Sequence, residues 1–226
     1  MRKFDVSNFV FISTIVIATL ITIIFNSTNS LVVLFSTICG VVATKMASNG
    51  KWQMFIFDIL SNITYISICL SHKFYGEMIL AYVIIFINFI SLLEWRNNQQ
   101  NGIVVVKKIK KVELVLSLTL GFVVMIGYAF AMKLMNSELP LLNSISTVLY
   151  ILGSYFCFRR STWQFYVWIG YELTYILIWL LSGNISGLIL LVGGISELIY
   201  DIIGVVNWKS YSSFQQSKKS QILNFI

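Results

Sequence analysis

Proline, histidine and charge are all scarce here: one proline, one histidine and 11% charged residues in 226. The lone histidine, His72, falls in a short polar stretch, which leaves no His/Glu cluster for a catalytic metal and no Ser/His dyad for acyl transfer. Cys39, Cys69 and Cys157 stand far apart, without the paired spacing of a zinc site or a disulfide framework. No glycine loop has the phosphate-cradling pattern; Gly193-Gly194 lies inside an apolar run, where small residues let helices approach closely. These absences remove the common enzyme classes, and neither a metal nor another cofactor is expected. What fills the chain instead is apolar: 58% hydrophobic residues and a mean hydropathy of +0.83. A soluble domain of this size cannot hide so much apolar surface, whereas a lipid bilayer accepts it. The chain is read as an all-α integral membrane protein.

Each spanning helix needs roughly 20 mostly apolar residues, and eight runs qualify: 8–26, 31–47, 52–71, 76–95, 112–132, 139–158, 163–182 and 185–207. The breaks are polar: 26–30, 49–51, 71–73, the long loop 96–111, 136–138, Arg159-Arg160 and 182–184. Pro140 opens the sixth run, where the first helical turn tolerates it. The Met-Arg-Lys start before an apolar run has the look of a signal peptide, but no clean small-residue cleavage site follows, so the segment is read as a retained first helix. The tail after 208 is polar and basic, and its Ile-Leu-Asn-Phe-Ile end is read as disordered rather than as a short interfacial segment.

The net charge of +7 is distributed as topology rather than as a nucleic-acid footprint. With eight spans, one side collects Arg2, Lys3, Lys45, Lys51, Arg96, Lys107, Lys108, Lys110, Lys111, Arg159, Arg160, Lys209, Lys218 and Lys219, and the other only Lys73 and Lys133: 14 against 2 of the 16 basic residues. Adding or removing one span would scramble this separation. Both termini are therefore expected in the cytoplasm of a multi-pass cell-membrane protein.

An internal repeat divides the spans. Trp52-Gln53-Met54-Phe55 resembles Trp163-Gln164-Phe165-Tyr166 at an offset of 111, and Trp95-Arg96 resembles Trp208-Lys209 at an offset of 113. Runs 2–4 thus align with runs 6–8, run 5 is a lone connector, and the charge bias makes the two triplets parallel. The expected organisation is an extra N-terminal helix (1–30), a first three-helix repeat (31–96), a loop and connector helix (97–138), a second three-helix repeat (139–209) and a cytoplasmic tail (210–226). A binding site is expected between the triplets near the midplane.

An ionisable group in hydrocarbon is expensive and ordinarily faces a cavity or a partner. Asp58, Glu172, Glu197 and Asp201 all lie well inside runs; Lys45 sits near a run end, within reach of the interface. Trp168, Glu172, Tyr175 and Trp179 recur at helical spacing on one stripe, and Glu197, Asp201, Gly204 and Trp208 repeat it, with Asn88, Ser91 and Trp95 forming a milder polar stripe. Aromatic faces beside carboxylates suit a flat, cationic ring bearing hydroxyls. Aromatics in spans also serve packing and interface anchoring, so the spacing alone leaves both uses open.

Leu142 to Leu149 (Leu-Asn-Ser-Ile-Ser-Thr-Val-Leu), Arg159-Arg160, Trp168-Ile169 and the polar position Glu172 resemble the second repeat of the PnuC family of nicotinamide riboside (nicotinamide mononucleotide) transporters; Tyr75-Gly76-Glu77-Met78, Asn88 and Trp95-Arg96 are similar to its first repeat. The resemblance covers 31–209. It implies a SWEET-like 3+1+3 fold, facilitated passage by alternating access, no ATP-hydrolysing domain and uptake driven by phosphorylation of the substrate in the cytoplasm. By resemblance Trp168 matches the ring-stacking tryptophan and Asn88 an amide facing substrate. The chain departs from the pattern at Glu172, where the family has asparagine, with Ser61 and its neighbour Asn62 in the first repeat, and at Tyr200 and Asp201, where an amide is expected in the last helix.

The candidate substrate-binding set is Trp168, Glu172, Tyr175, Trp179, Asn88, Asp201, Asn62 and Trp52. The expected partners are a nicotinamide riboside-like solute and the lipid bilayer, with no nucleic acid; the oligomeric state is left open, a homo-oligomer included. The alternatives are transport of another vitamin such as thiamine, or of another nucleoside, and the membrane component of an ATP-driven vitamin importer, a class with about six spans and no such repeat.

Overall fold

The computed structural model describes residues 6–25, 30–72, 75–134, 139–182 and 185–223. The polar breaks at 26–30, 71–73, 136–138 and 182–184, the side chains of Cys69 and His72, and the Ile-Leu-Asn-Phe-Ile end lie outside the described residues in whole or in part. Among those described, the chain forms eight helices: α1 (Val6–Phe25), α2 (Ser30–Ser48), α3 (Met54–His72), α4 (Tyr75–Asn97), α5 (Lys111–Leu134), α6 (Pro140–Phe158), α7 (Trp163–Ser182) and α8 (Ile185–Leu223). Seven are long and apolar enough to cross a membrane, and α3 is apolar over Met54–Ile68. Leu, Ile, Val and Phe cover their outer faces, which bury nothing within the chain and suit lipid.

The helices close a ring. α2 packs on α3, α3 on α4, α4 on α6, α6 on α7, α7 on α8, and α8 back on α2. Two seams join the triplets, α4 on α6 and α8 on α2, and exchanging the triplets converts one seam into the other. α5 leans on α6, and α1 covers the seam between α8 and α2. Lys45, at the end of α2, donates from Nζ to Asn8 Oδ1 of α1 at 2.8 Å and sits over the Phe11 ring.

The same cap ends α2 and α6. Gly50 N–H donates to the Ala47 carbonyl and Lys51 N–H to that of Met46. Arg160 N–H and Ser161 N–H repeat the pattern on Cys157 and Phe156. Such a cap requires a left-handed residue, and Gly50 (φ 66°) and Arg160 (φ 56°) supply it. A non-glycine there costs about 1–2 kcal/mol; Arg160 offsets the strain by its contacts, its guanidinium reaching Glu94 Oε1 of α4 at 3.2 Å and the Val105 carbonyl at 3.3 Å. Burial draws that guanidinium below its ordinary value, with Glu94 pulling the other way.

The 96–111 segment is more ordered than its polarity suggests. Asn101-Gly102, both at positive φ, turn a short hairpin of β1 (Gln99–Gln100) and β2 (Ile103–Val104). Val104 is fully buried; its N–H donates to the Gly50 carbonyl, and Lys107 N–H to that of Arg160. The polar tail continues α8 as far as Leu223, 39 residues and about 58 Å in all. No proline or glycine interrupts 205–223, and Gln215 docks it on the hairpin, accepting from Val106 N–H at 3.0 Å and donating to the Val104 carbonyl at 3.2 Å.

Candidate functional site

Two tryptophans lock one end of the ring, each reaching across a seam. Trp95 Nε1 of α4 donates to the Cys157 carbonyl of α6 at 2.8 Å, and Trp208 Nε1 of α8 to the Ala47 carbonyl of α2 at 3.0 Å. Their rings lie 5.3 Å apart; Phe55 stands edge-on to Trp95 at 5.1 Å and Phe165 to Trp208 at 5.3 Å. Both indoles are fully buried. Gly204 makes room for this plug, because a Cβ there would meet Phe165 Cε1 at 2.3 Å. The ends of α2, α4 and α6 and the Trp208 level of α8 therefore meet at one face, so the triplets run parallel.

The plug also fixes the repeat's register. Phe55 answers Phe165 and Gly50 answers Arg160, an offset of 110, where the Trp-Gln motif suggested 111. Packing under the tryptophans sets this register, and the motif's tryptophans point elsewhere: Trp52 lies under the Arg96 guanidinium and Trp163 against Tyr166. At 110, Glu172 corresponds to Asn62 rather than to Ser61; at 113, Asp201 corresponds to Asn88.

Above the plug the ring encloses a cavity of about 850 Å³, running from Ala47 and Met54 to Leu139 and Leu181. Its size falls within the range of small-molecule sites. Of the residues expected from sequence, Trp168, Glu172, Tyr175, Trp179, Asn62 and Asp201 line it. Asn88 does not; it stands behind Asp58, donating from Nδ2 to Oδ2 at 2.7 Å. Trp52 lies at the plugged end, outside the lining. Tyr200 turns its hydroxyl away to the Ser7 carbonyl of α1, which leaves Asp201 as the member of that pair facing the cavity.

One wall is aromatic. Trp168 sits edge-on to Tyr150 at 5.1 Å and to Tyr171 at 5.5 Å; Tyr171 stacks on Tyr175 at 5.7 Å, and Tyr175 meets Trp179 at 6.1 Å. Gly153 of α6 admits the Trp168 indole, since a Cβ would fall 2.8 Å from its Cε2. Carboxyl groups reach the cavity from three helices: Asp58 of α3, Glu172 of α7, and Glu197 and Asp201 of α8. Asp58 also accepts from Asn62 Nδ2 at 3.2 Å, and that amide lies 3.4 Å from the Tyr150 hydroxyl. Glu172 is 3% exposed, and its Oε2 is buried without a partner.

Sequence reasoning left Asp58 and Glu197 out of the binding set although it singled them out as buried acids, and it passed over Tyr150 and Tyr171. Tyr150 carried a signal: Asn143, Ser146 and Tyr150 follow helical spacing and all line the cavity. Tyr171 carried one too, three residues after Trp168 and four before Tyr175 on the stripe already marked. Among the described residues no group of three or more His, Cys, Asp or Glu side chains is placed to hold a metal ion.

Comparison with known proteins agrees with this architecture. The chain is similar to the nicotinamide riboside transporter PnuC of Haemophilus influenzae, 24% identical over 159 residues (67% of this chain, 69% of that protein). To the nicotinamide riboside transporter PnuC of Neisseria mucosa it is 22% identical over 183 residues (76% and 70%). Its fold matches a crystal structure of the vitamin B3 transporter PnuC with a TM-score of 0.76 over 90% of both chains at 20% identity. The profile of the nicotinamide mononucleotide transporter family matches residues 30–210, and the chain belongs to that family.

Proposed function

We propose that this protein takes up nicotinamide riboside, or a closely related cationic vitamin such as thiamine, by alternating access down the substrate's own gradient. It acts in the cell membrane with both termini cytoplasmic, and it performs no covalent chemistry on the solute. The observation that carries the reading is the cavity: Trp168 and its tyrosine neighbours form a face for a flat ring, in a cavity also lined by carboxyl groups that accept from hydroxyls and answer a positive charge. The 14-to-2 bias of basic residues supports an orientation with the tryptophan plug on the cytoplasmic side. In that orientation the structure is closed inward. Relatives named for nicotinamide riboside support the substrate class, and Glu172 in place of an amide favours a cation over a neutral nucleoside.

The test is uptake by the purified protein in liposomes, offered labelled nicotinamide riboside, thiamine, riboflavin and uridine without ATP. Saturable uptake of a cationic solute is expected, with Trp168→Ala weakening its binding about tenfold, the scale of one desolvated cation–π contact. Uptake of none of the four, or uptake that requires added ATPase subunits, rejects the proposal.

A further inference from the structure

Charge does not balance at the plugged end of the ring. Two acids flank the 96–111 segment, and an arginine holds each: Arg160 reaches Glu94 at 3.2 Å and Arg159 reaches Glu113 at 2.8 Å. No acid follows Asp201 in the chain. Lys107, Lys108 and Lys209 are exposed, and among the described residues none of the three has a carboxylate at ion-pair distance.

The fold gathers these lysines around one pocket. It encloses about 540 Å³ between the segment that leaves the hairpin, the turn into α7 and the extension of α8, and no carboxyl group lines it. Lys107 N–H is tied to the Arg160 carbonyl, which pins the segment against that turn. Lys108 Nζ donates to Gln216 Oε1 at 3.1 Å, and Lys209 Nζ lies 5.7 Å from the centre of the Tyr166 ring. Both partners are neutral, so they position the ammonium groups and leave the charge uncompensated. The Thr162 and Ser212 hydroxyls also line the pocket. Ser212 Oγ accepts from Gln216 Nε2 at 3.0 Å, and its own O–H remains a donor. Ammonium and hydroxyl donors around a space without carboxylates suit a phosphate group.

The pocket stands at the depth of lipid headgroups. α8 is about 58 Å long and hydrocarbon takes up roughly 30 Å, so the part beyond the Trp208 plug leaves the bilayer. Trp163 and Tyr166 open α7 and are 40% and 41% exposed, as amphipathic rings are at a membrane surface. Two exposed apolar stripes run from the Tyr166–Lys209 contact into the membrane. Leu173 and Leu177 continue the Tyr166 face of α7; Val206, Ile202 and Ile195 continue the Lys209 face of α8. The two helices pack on one another. A free phosphate would use the lysines alone, whereas a phospholipid uses the lysines and the stripes.

We propose that this pocket seats the phosphate of an anionic phospholipid, with Lys107, Lys108 and Lys209 around the phosphate and the acyl chains on the α7 and α8 stripes. The lipid ties the hairpin segment, the α6–α7 turn and the α8 extension together beside the plug. It also gives Trp163 a place at the pocket wall, away from the central cavity. The site is independent of the solute that the central cavity takes.

The test mixes the full-length protein in mild detergent with phosphatidylglycerol, phosphatidylcholine or inorganic phosphate, and counts bound lipid by native mass spectrometry. One phosphatidylglycerol per chain is expected to stay bound where phosphatidylcholine does not, and to raise the unfolding temperature. Lys107→Gln, Lys108→Gln and Lys209→Gln together weaken that binding about a hundredfold, at about fivefold per lysine. The same charge removed outside the pocket, in Lys51→Gln with Lys110→Gln and Lys111→Gln, leaves the lipid bound. Equal retention by the wild type and the pocket variant overturns the proposal, as does an equal loss in both triple variants. So does phosphatidylcholine bound as tightly as phosphatidylglycerol. Displacement of the lipid by inorganic phosphate, with the same rise in unfolding temperature, makes this a free-anion site and overturns the lipid assignment. Where the pocket variant does not fold, Lys107→Gln and Lys209→Gln are read singly. Each is expected to cost about fivefold, and no change in either overturns the proposal.

Discussion

The two triplets are alike where they close the ring and unlike where they line it. At the plug each supplies a tryptophan, an edge-on phenylalanine and a capped helix end whose carbonyl receives the other's indole. At mid-depth the equivalence in position persists but the chemistry does not: the first triplet has Asn62 on the cavity and Asn88 behind Asp58, and the second has Glu172 and Asp201 at the corresponding places, both on the cavity. Closure of a ring is a symmetric task, so both halves keep the same parts. Gripping a small asymmetric molecule is not, and there the halves diverge.

The largest expected effect tests the symmetric half of that comparison. Trp95→Ala and Trp208→Ala each remove a fully buried indole and its seam-crossing hydrogen bond, and each is expected to cost about 3–5 kcal/mol. Thermal unfolding in detergent measures both, and a gap between them beyond about 1 kcal/mol breaks the equivalence. Next, giving the second triplet the first one's amides, in Glu172→Asn with Asp201→Asn, weakens binding of a cationic solute by about 2–4 kcal/mol through lost charge-assisted contacts. The same double change leaves uridine binding, if any, little altered; equal losses for both solutes break the charge argument.

A smaller effect probes the seat of the ring. Gly153→Ala places a Cβ 2.8 Å from the Trp168 indole, and the overpacking is expected to cost about 1–3 kcal/mol in substrate affinity or stability. Unchanged tryptophan fluorescence and affinity would show that Trp168 has slack. The smallest belongs to the outer rim: Arg159, its side chain 29% exposed and 2.8 Å from Glu113, loses about 1 kcal/mol or less on substitution by alanine, because water and salt screen such pairs.

Much of the ring was legible from residues because lipid imposes a blunt rule. Runs of apolar residues and the side on which Arg96, Arg159 and Arg160 fall are coarse signals that survive without contacts. Trp168, Glu172 and Asp201 were legible for the converse reason, since polarity in hydrocarbon demands a cause. The register was not: Trp52 and Trp163 match as letters, but the pairing of Phe55 with Phe165 depends on which ring slides under which indole. Asn88 was placed at the substrate by family resemblance, and in the fold its amide donates to Asp58. The helical tail was hidden because its anchor, Gln215 on the Val104–Val106 backbone, bridges more than a hundred residues.

The seams have a consequence for how such a ring arises. Each triplet offers a tryptophan and receives one, the rule of an isologous pairing, in which residue i meets j and j meets i. A surface of that kind is complementary to itself. Two separate copies of one triplet would close the same ring without α5, whose only buried residue among those described is Gly121. The connector helix is then a tether: it holds the halves at high mutual concentration and orders them, and a single chain lets the halves carry different side chains, Asn62 in one and Glu172 in the other.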